Sequence, residues 1–262
     1  MRTTPSRLVT LADLMCSMTA LAKPITKPVR YLIDKVPFES VAVYDDAAPA
    51  RPALLMVPNW LGINEANLKQ AQLVAARGYS VFVVDMYGVD KRPSDSATAG
   101  KAVGPLKENR ALTRQRIRAG FDQLQSVKSE KFDLTHQGAI GFCFGGLVAL
   151  ELGRSGANVA GIVTFHAGLS SPTPEDAKNI KGRVLALHGA DDPSVPAAEL
   201  QAFQDEMRGA KLDWQLVSFG NAVHSFTDVD AKMPGRAEYN PLVARRAYQL
   251  MDSFFAETFN PK

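Results

Sequence analysis

The sequence predicts an α/β fold in which a mostly parallel sheet is flanked by helices on both faces. From about residue 38 onward, short apolar runs rich in Val, Ile, Leu and Phe alternate with segments of helical period. Such alternation is typical of parallel strands joined by helical crossovers. The chain has 262 residues, of which 46% are hydrophobic. This length is sufficient for one α/β unit with a large buried core.

The predicted strands are, in chain order, Phe38–Tyr44, Ala53–Val57, Ser80–Asp85, Gly138–Phe142, Val159–Phe165, Arg183–His188 and Leu212–Phe219. The predicted helices are Glu65–Arg77, Leu106–Ser126, Gly145–Arg154, Ala197–Met207 and Leu242–Phe259. The segment from Gly88 to Gly104 is rich in small and charged residues. We predict that it is irregular and forms a lid or substrate rim.

Composition excludes several classes of protein. The chain has 30 Lys and Arg against 27 Asp and Glu, with no long run of like charge, so nucleic acid is not an expected partner. It has no apolar stretch long enough to span a membrane as a helix. Cys16 and Cys143 lack the spacing of a disulfide framework or a zinc site. We expect no metal and no cofactor.

Residues 1–37 are predicted to be an N-terminal extension and residues 38–262 a single domain. Basic residues, an apolar stretch and then Ala20 and Ala22 give the extension the outline of a secretory signal. Asp13 in the middle of the apolar stretch weakens that interpretation, so a cytoplasmic location is expected. Export, with residues 1–22 acting as a signal, is the alternative. The sequence sets no expectation for the oligomeric state.

The segment GAIGFCFGGLVAL at residues 138–150 has the form of a nucleophile elbow with cysteine in place of serine. Gly141 and Gly145 stand two residues before and after Cys143, which permits a sharp turn from strand to helix. The positive end of the helix would lower the pKa of the thiol. The alternative is that Cys143 is a small buried apolar residue. The glycines on both sides favour the nucleophile.

Such a nucleophile needs a base, and the base needs an orienting carboxylate. Asp191 and Asp192 follow a predicted strand, at the edge where parallel sheets build their sites. Asp192 is preferred because two residues and then Val-Pro follow it, a frame that resembles the acid loop of α/β-hydrolases; Asp191 is more typical of a turn. His224, in the loop before the last helix, completes the order nucleophile, acid, histidine. The remaining histidines are predicted to be structural, rim or exposed residues: His136, His166 and His188.

An elbow supplies one N–H group to an oxyanion hole, here that of Phe144, and a second comes from a loop after an earlier strand. The segment VPNWLG at residues 57–62 follows the strand Ala53–Val57. We therefore predict the Trp60 N–H as the second donor. The alternative is that Trp60 packs at the end of the strand.

These motifs resemble the dienelactone hydrolase family of α/β-hydrolases. The resemblance covers nearly all of residues 38–259 and rests on VPNWLG, GYSVFVVDMYG at 78–88, GFCFGG at 141–146, LHGADDPSVP at 187–196 and AVHSF at 222–226. It implies an α/β-hydrolase fold, a triad of Cys143, Asp192 and His224, and hydrolysis of a small ester or lactone through a thioester. The expected substrate-binding positions are Asn59, Tyr87, Lys91, Arg92, Ser225 and Phe226.

The sequence departs from the family pattern at two places. A glutamate that holds the resting thiol away from the base is replaced by Asn59, so we expect Cys143 to pair with His224 at rest. Val89 and Asp228 stand where the family's arginines bind a substrate carboxylate. Dienelactone itself is therefore not the expected substrate.

Lys91, Arg92 or Arg236 could replace those arginines, although ordinary surface charge is the simpler interpretation. Two other functions stay open from the sequence. The thioester could pass its acyl group from an activated acyl compound to an alcohol or amine. Alternatively, the chain is a non-catalytic protein of this fold that binds a small molecule or senses oxidants through Cys143.

Overall fold

An eight-stranded sheet forms the centre of the computed structural model, which describes residues 24–127 and 129–260. The strands are β1 Ile25–Ile33, β2 Val36–Tyr44, β3 Arg51–Val57, β4 Ser80–Val83, β5 Phe132–Phe142, β6 Gly161–Phe165, β7 Arg183–Gly189 and β8 Trp214–Phe219. Their order across the sheet is β1-β2-β4-β3-β5-β6-β7-β8. The pairs β1–β2 and β2–β4 are antiparallel, and the other neighbours are parallel. The predicted, mostly parallel sheet is confirmed.

Helices cover both faces of the sheet. They are α1 Glu65–Ala76, α2 Ser96–Glu108, α3 Arg110–Gln125, α4 Phe144–Arg154, α5 Ala197–Gly209 and α6 Pro241–Phe259. One cluster of buried residues packs α1 and α6 against one face of the sheet. A second packs α2, α3, α4 and α5 against the other face. Leu54 belongs to the first cluster and Leu55 to the second, because successive side chains of a strand point to opposite faces. Among the described helices, none is both long and apolar enough to cross a bilayer.

The seven predicted strands correspond to β2 to β8, and β1 is an addition. Strand β1 lies within residues 1–37, the predicted extension, and pairs along its whole length with β2. It is an edge strand in which exposed and half-buried positions mix, and it contains Pro28. A search for continuous apolar runs detects buried strands and therefore misses such an edge. The signal-like segment 1–22 lies outside the described residues.

The prediction of an irregular segment up to Gly104 is wrong, because α2 begins at Ser96. Asp95 caps this helix: its side chain accepts the Thr98 N–H at 2.8 Å, and the Thr98 hydroxyl bonds back to the Asp95 N–H. This reciprocal capping box starts a helix despite the glycines and the proline within it. The helix is interrupted at Asn109, which separates α2 from α3 and whose side chain caps α3.

A buried ion network joins α3, α4 and α5. Arg154 and Glu151 on α4 are fully buried. Arg154 donates to the two carboxylate oxygens of Glu206 at 2.7 Å each and to Glu151 at 3.0 Å. Arg114 donates to the other oxygen of Glu151 at 2.7 Å. Since α4 follows Cys143 directly, the network also fixes the helix on which the elbow depends.

Replacing Arg154 by alanine is expected to lower the free energy of unfolding by about 3–5 kcal/mol, because Glu151 and Glu206 would keep buried charges without their partner. Urea denaturation followed by circular dichroism measures the loss. The matched control is Arg208→Ala on α5, whose side chain is 54% exposed and pairs with Asp205. A pair of that kind contributes about 0–1 kcal/mol. Equal losses in the two variants would contradict the structural role of the network.

Candidate active site

Cys143 occupies a strained turn between β5 and α4. Its φ of 54° and ψ of −121° lie in a region that residues with a side chain seldom adopt. Two backbone hydrogen bonds hold the turn: the Cys143 N–H donates to the Phe165 carbonyl at 3.0 Å, and the Gly146 N–H donates to the Cys143 carbonyl at 3.1 Å. The thiol is partly buried. The geometry is that of the predicted elbow.

The glycines around Cys143 are required by close backbone contacts. A Cβ atom on Gly141 would lie 2.1 Å from the Gly145 carbonyl oxygen, and one on Gly145 would lie 2.1 Å from the Val57 carbonyl oxygen. Neither distance is compatible with a side chain. The two glycines therefore allow the start of α4 to press against the ends of β5 and β3.

The structure brings Asp192 and His224 into direct contact. Asp192 is buried after β7, and its Oδ2 lies 2.7 Å from His224 Nδ1, while its Oδ1 accepts the Ser194 N–H at 2.8 Å. A small hairpin, β9 Lys232–Met233 and β10 Ala237–Glu238, holds the backbone of His224. The His224 N–H donates to the Arg236 carbonyl at 3.2 Å, and its carbonyl accepts the Glu238 N–H at 3.0 Å.

The ionisation states of these three side chains are linked. Burial favours the neutral Cys143 thiol, but the hydrogen bond and charge of His224 act against it, aided by the Phe144 N–H and Lys107, so the pKa of the thiol lies below its usual value. Burial likewise disfavours the imidazolium, yet hydrogen bonds to Asp192 and Cys143 raise the pKa of His224 to about 10. The arrangement favours a thiolate beside an imidazolium.

The pKa of the Asp192 carboxyl lies below its usual value. Burial alone would raise this pKa, but the hydrogen bond and charge of His224, together with the Ser194 N–H, outweigh burial and lower it. The carboxylate therefore stays ionised and keeps the proton of His224 on Nδ1.

The loop after β3 forms a tight turn organised by Asn59. The Asn59 side-chain oxygen accepts the Leu61 N–H at 3.0 Å and the Asn67 amide at 2.9 Å, and its carbonyl accepts the Gly62 N–H at 2.9 Å. This oxygen is thus occupied by one donor of its own loop and one of α1. Asn59 shapes the segment that carries Trp60.

Tyr87 links the two residues predicted to form the oxyanion hole. Its hydroxyl donates to the Trp60 carbonyl at 2.7 Å, and its ring stacks on Phe144 with centroids 6.5 Å apart. Burial and the nearby Cys143 raise the pKa of the phenol, so Tyr87 stays a neutral donor. The Tyr87 N–H in turn donates to the buried carboxylate of Asp85 at 2.9 Å.

The other predicted substrate-binding residues differ in their surroundings. Arg92 is paired with Asp85, whose Oδ2 lies 2.9 Å from its Nη2. Lys91 is exposed in a short 3₁₀ turn, and Phe226 is fully buried with its ring 4.9 Å from that of His166. Ser225 is half-buried next to His224 and has a φ of 59°.

Sequence reasoning did not single out two residues near this centre. Lys107, at the end of α2, lies close enough for its charge to lower the pKa of the Cys143 thiol. The sequence predicts only a structural or rim role for His166, whose ring centroid lies 5.3 Å from that of His224. Within the part of the chain that the structure describes, no group of three His, Cys, Asp or Glu side chains could hold a metal ion.

Comparison with known proteins places the chain among hydrolases of one family. The model of the dienelactone hydrolase family matches residues 38–259. The putative carboxymethylenebutenolidase of Escherichia coli is 25% identical over 215 residues, covering 79% of this chain and 77% of that protein.

Solved structures agree with this result. A dienelactone hydrolase-like promiscuous phosphotriesterase from metagenomic libraries is 35% identical, with a TM-score of 0.84 over 91% of this chain and 100% of that chain. A putative dienelactone hydrolase from Klebsiella pneumoniae is 19% identical, with a TM-score of 0.74 over 89% of this chain and 99% of that chain. The predicted α/β-hydrolase fold is confirmed.

The rate of alkylation of Cys143 by iodoacetamide should fall as the pH falls through the pKa of the thiol, because only the thiolate reacts. In the wild type the midpoint is expected below the usual pKa of a cysteine thiol, and in His224→Ala above it, since burial then acts without an imidazolium. Intact-protein mass spectrometry gives the rates, with Cys143→Ala as the background. His136→Ala, which removes a half-exposed histidine paired with Asp133, should leave the midpoint unchanged. Equal midpoints in wild type and His224→Ala would contradict the ion pair.

Proposed function

The chain belongs to the dienelactone hydrolase family, a family of carboxylic-ester hydrolases, and on that basis we propose that it cleaves a small ester or lactone through a thioester on Cys143. The observation that carries the proposal is the 2.7 Å contact between Asp192 and His224, together with the lowered pKa of the elbow thiol. Packing of a buried cysteine alone would explain neither the strained turn nor the charged imidazole beside the thiol.

Acylation begins from the thiolate and imidazolium. The Cys143 sulfur attacks the carbonyl carbon, and the carbonyl oxygen becomes an oxyanion held by the N–H groups of Phe144 and Trp60. When the intermediate collapses, the bond to the alkoxy oxygen breaks and His224 gives its proton to the departing alcohol. In a lactone that alcohol stays attached to the acyl group.

Deacylation uses the same groups in reverse. Neutral His224 takes a proton from water, and the resulting hydroxide attacks the thioester carbonyl. The second oxyanion collapses, the acid leaves, and Cys143 returns to the thiolate beside the imidazolium. Asp192 holds the imidazole and stabilises its charge in both halves. Each oxyanion donor is expected to contribute about 3 kcal/mol to lowering the barrier.

The proposed substrate differs from dienelactone. Val89 is 41% exposed, and Asp228 lines a cleft of about 270 Å³ between α1 and the His224 loop. Because valine is apolar and aspartate is acidic, neither position offers a cation to a carboxylate. Arg92 is already paired with Asp85. A neutral ester or lactone therefore fits these residues better than an anionic one. Acyl transfer would need an alcohol or amine in place of water, and redox sensing would not need the contact between Asp192 and His224.

The proposal predicts a transient acyl-enzyme. After brief mixing with p-nitrophenyl acetate, the wild type should carry one acetyl group on Cys143 and release p-nitrophenol repeatedly. Cys143→Ala should do neither, and His224→Ala should form the adduct slowly or keep it. Intact-protein mass spectrometry and absorbance of p-nitrophenol measure the two quantities.

A neighbouring aspartate gives the matched control. Asp192→Asn should lower kcat by several powers of ten, because an amide stabilises the wrong tautomer of the base. Asp191→Asn changes an exposed residue one position away and should leave turnover unchanged. Absence of both adduct and p-nitrophenol in the wild type would sink the hydrolase proposal and favour binding or redox sensing.

Phosphotriester hydrolysis is a second candidate activity. The observation that favours it is the 35% identity and 0.84 TM-score to a promiscuous phosphotriesterase over 91% of this chain. We expect p-nitrophenyl diethyl phosphate to be turned over more slowly than the acetate. The Cys143 sulfur would displace p-nitrophenolate from phosphorus, and water would then cleave the bond between sulfur and phosphorus and release diethyl phosphate. Mass spectrometry of the mixture detects that group. A wild type that hydrolyses the acetate but never carries phosphorus on Cys143 would exclude this activity.

A further inference from the structure

His166 is a buried histidine that the proposed reaction does not use. It follows β6, is 2% exposed and has a φ of 41°, which is unusual for a residue with a side chain. Its ring centroid lies 5.3 Å from that of His224, with the two planes at 65°. An aromatic contact of this kind fixes the relative orientation of two rings.

His166 is itself held from several sides. Its Nε2 lies 2.8 Å from the Thr227 hydroxyl, which accepts the Gln70 amide of α1 at 3.2 Å. The His166 N–H donates to the Leu187 carbonyl of β7 at 2.8 Å. Its ring also meets that of Phe226 edge to face, with centroids 4.9 Å apart. A side chain so restrained can serve as a fixed support for its neighbour.

The charge state of His166 suits that position. Burial, and then the nearby charge of His224, lower the pKa of His166 well below its usual value, so its ring is neutral. A neutral ring can lie against an imidazolium, whereas a second positive charge there would repel it.

One hydrogen bond does not fix the plane of an imidazole. The contact between His224 Nδ1 and Asp192 holds one edge of the ring, but the ring could still tilt about that contact. A tilt would move Nε2 away from Cys143. A displacement of about 1 Å at a reacting group costs roughly 100-fold in rate.

We propose that His166 is a positioning residue: its ring, anchored through Thr227 to Gln70, sets the plane of His224 so that the base faces Cys143 while bonded to Asp192. The effect on turnover rests on the proposed function. The effect on the thiol does not, because it exists without substrate. The two can therefore be tested separately.

The test compares His166→Ala with His166→Phe, which restores an aromatic ring but cannot bond Thr227. Two readouts are used: the thiolate absorbance near 240 nm as a function of pH, and the kcat and KM for p-nitrophenyl acetate. The control is His136→Phe, a half-exposed histidine on β5 that pairs with Asp133. Thermal unfolding followed by circular dichroism verifies that each variant is folded.

In His166→Ala we expect the thiolate midpoint to rise by about one pH unit or more and kcat to fall roughly 100-fold, with KM nearly unchanged. His166→Phe should recover most of both losses. Thr227→Val should show a smaller loss in the same direction, which Thr227→Ser recovers. His136→Phe should match the wild type.

An unchanged midpoint together with an unchanged kcat in folded His166→Ala would overturn the proposal. If the alanine variant does not fold, His166→Gln takes its place, because the glutamine amide can reach the position of Nε2 and bond Thr227 but has no ring; wild-type values there would overturn the proposal equally. If the wild type itself releases no p-nitrophenol, the proposed function fails, while the thiolate titration of the same variants still decides the role of His166.

Discussion

The close approach of three backbone segments around Cys143 is the constraint on which the rest of the site depends. Glycines at positions 141 and 145 let the start of α4 touch the ends of β5 and β3. At that contact Cys143 adopts its positive φ. The same contact also places the N-terminus of α4 beside the thiol, so a steric condition on the backbone becomes an electrostatic one on the Cys143 sulfur.

Support for this centre reaches it from both sides of the sheet. On one side, the buried pairing of Arg154 with Glu151 and Glu206 holds α4, and Tyr87 ties the Trp60 turn to Phe144. On the other, Gln70 of α1 bonds Thr227, which bonds His166 beside His224. The strained turn at Cys143 is thus supported by contacts on both faces of the sheet.

The sequence predicts those features of the fold and site that are encoded within one short segment of the chain. Buried parallel strands leave continuous apolar runs, and an elbow leaves glycines at fixed spacing, so β2 to β8 and the turn at Cys143 were predictable. Strand β1 is an exposed edge without such a run. Helix α2 depends on a reciprocal side-chain cap at Asp95 that outweighs its glycines. The contact of His166 with His224 joins the ends of separate strands, and no spacing within one segment encodes it.

The hairpin β9–β10 has a consequence for how such a protein can diverge. It holds His224 through main-chain groups alone, those of Arg236 and Glu238, whose side chains are exposed. Substitution at these two positions leaves the hydrogen bonds to the backbone of His224 in place, since every residue except proline supplies the same N–H and carbonyl. Residues of this hairpin can therefore acquire new charge or bulk while the backbone geometry of His224 is kept. Selection can therefore change the side chains of these two residues while their main-chain groups keep holding His224.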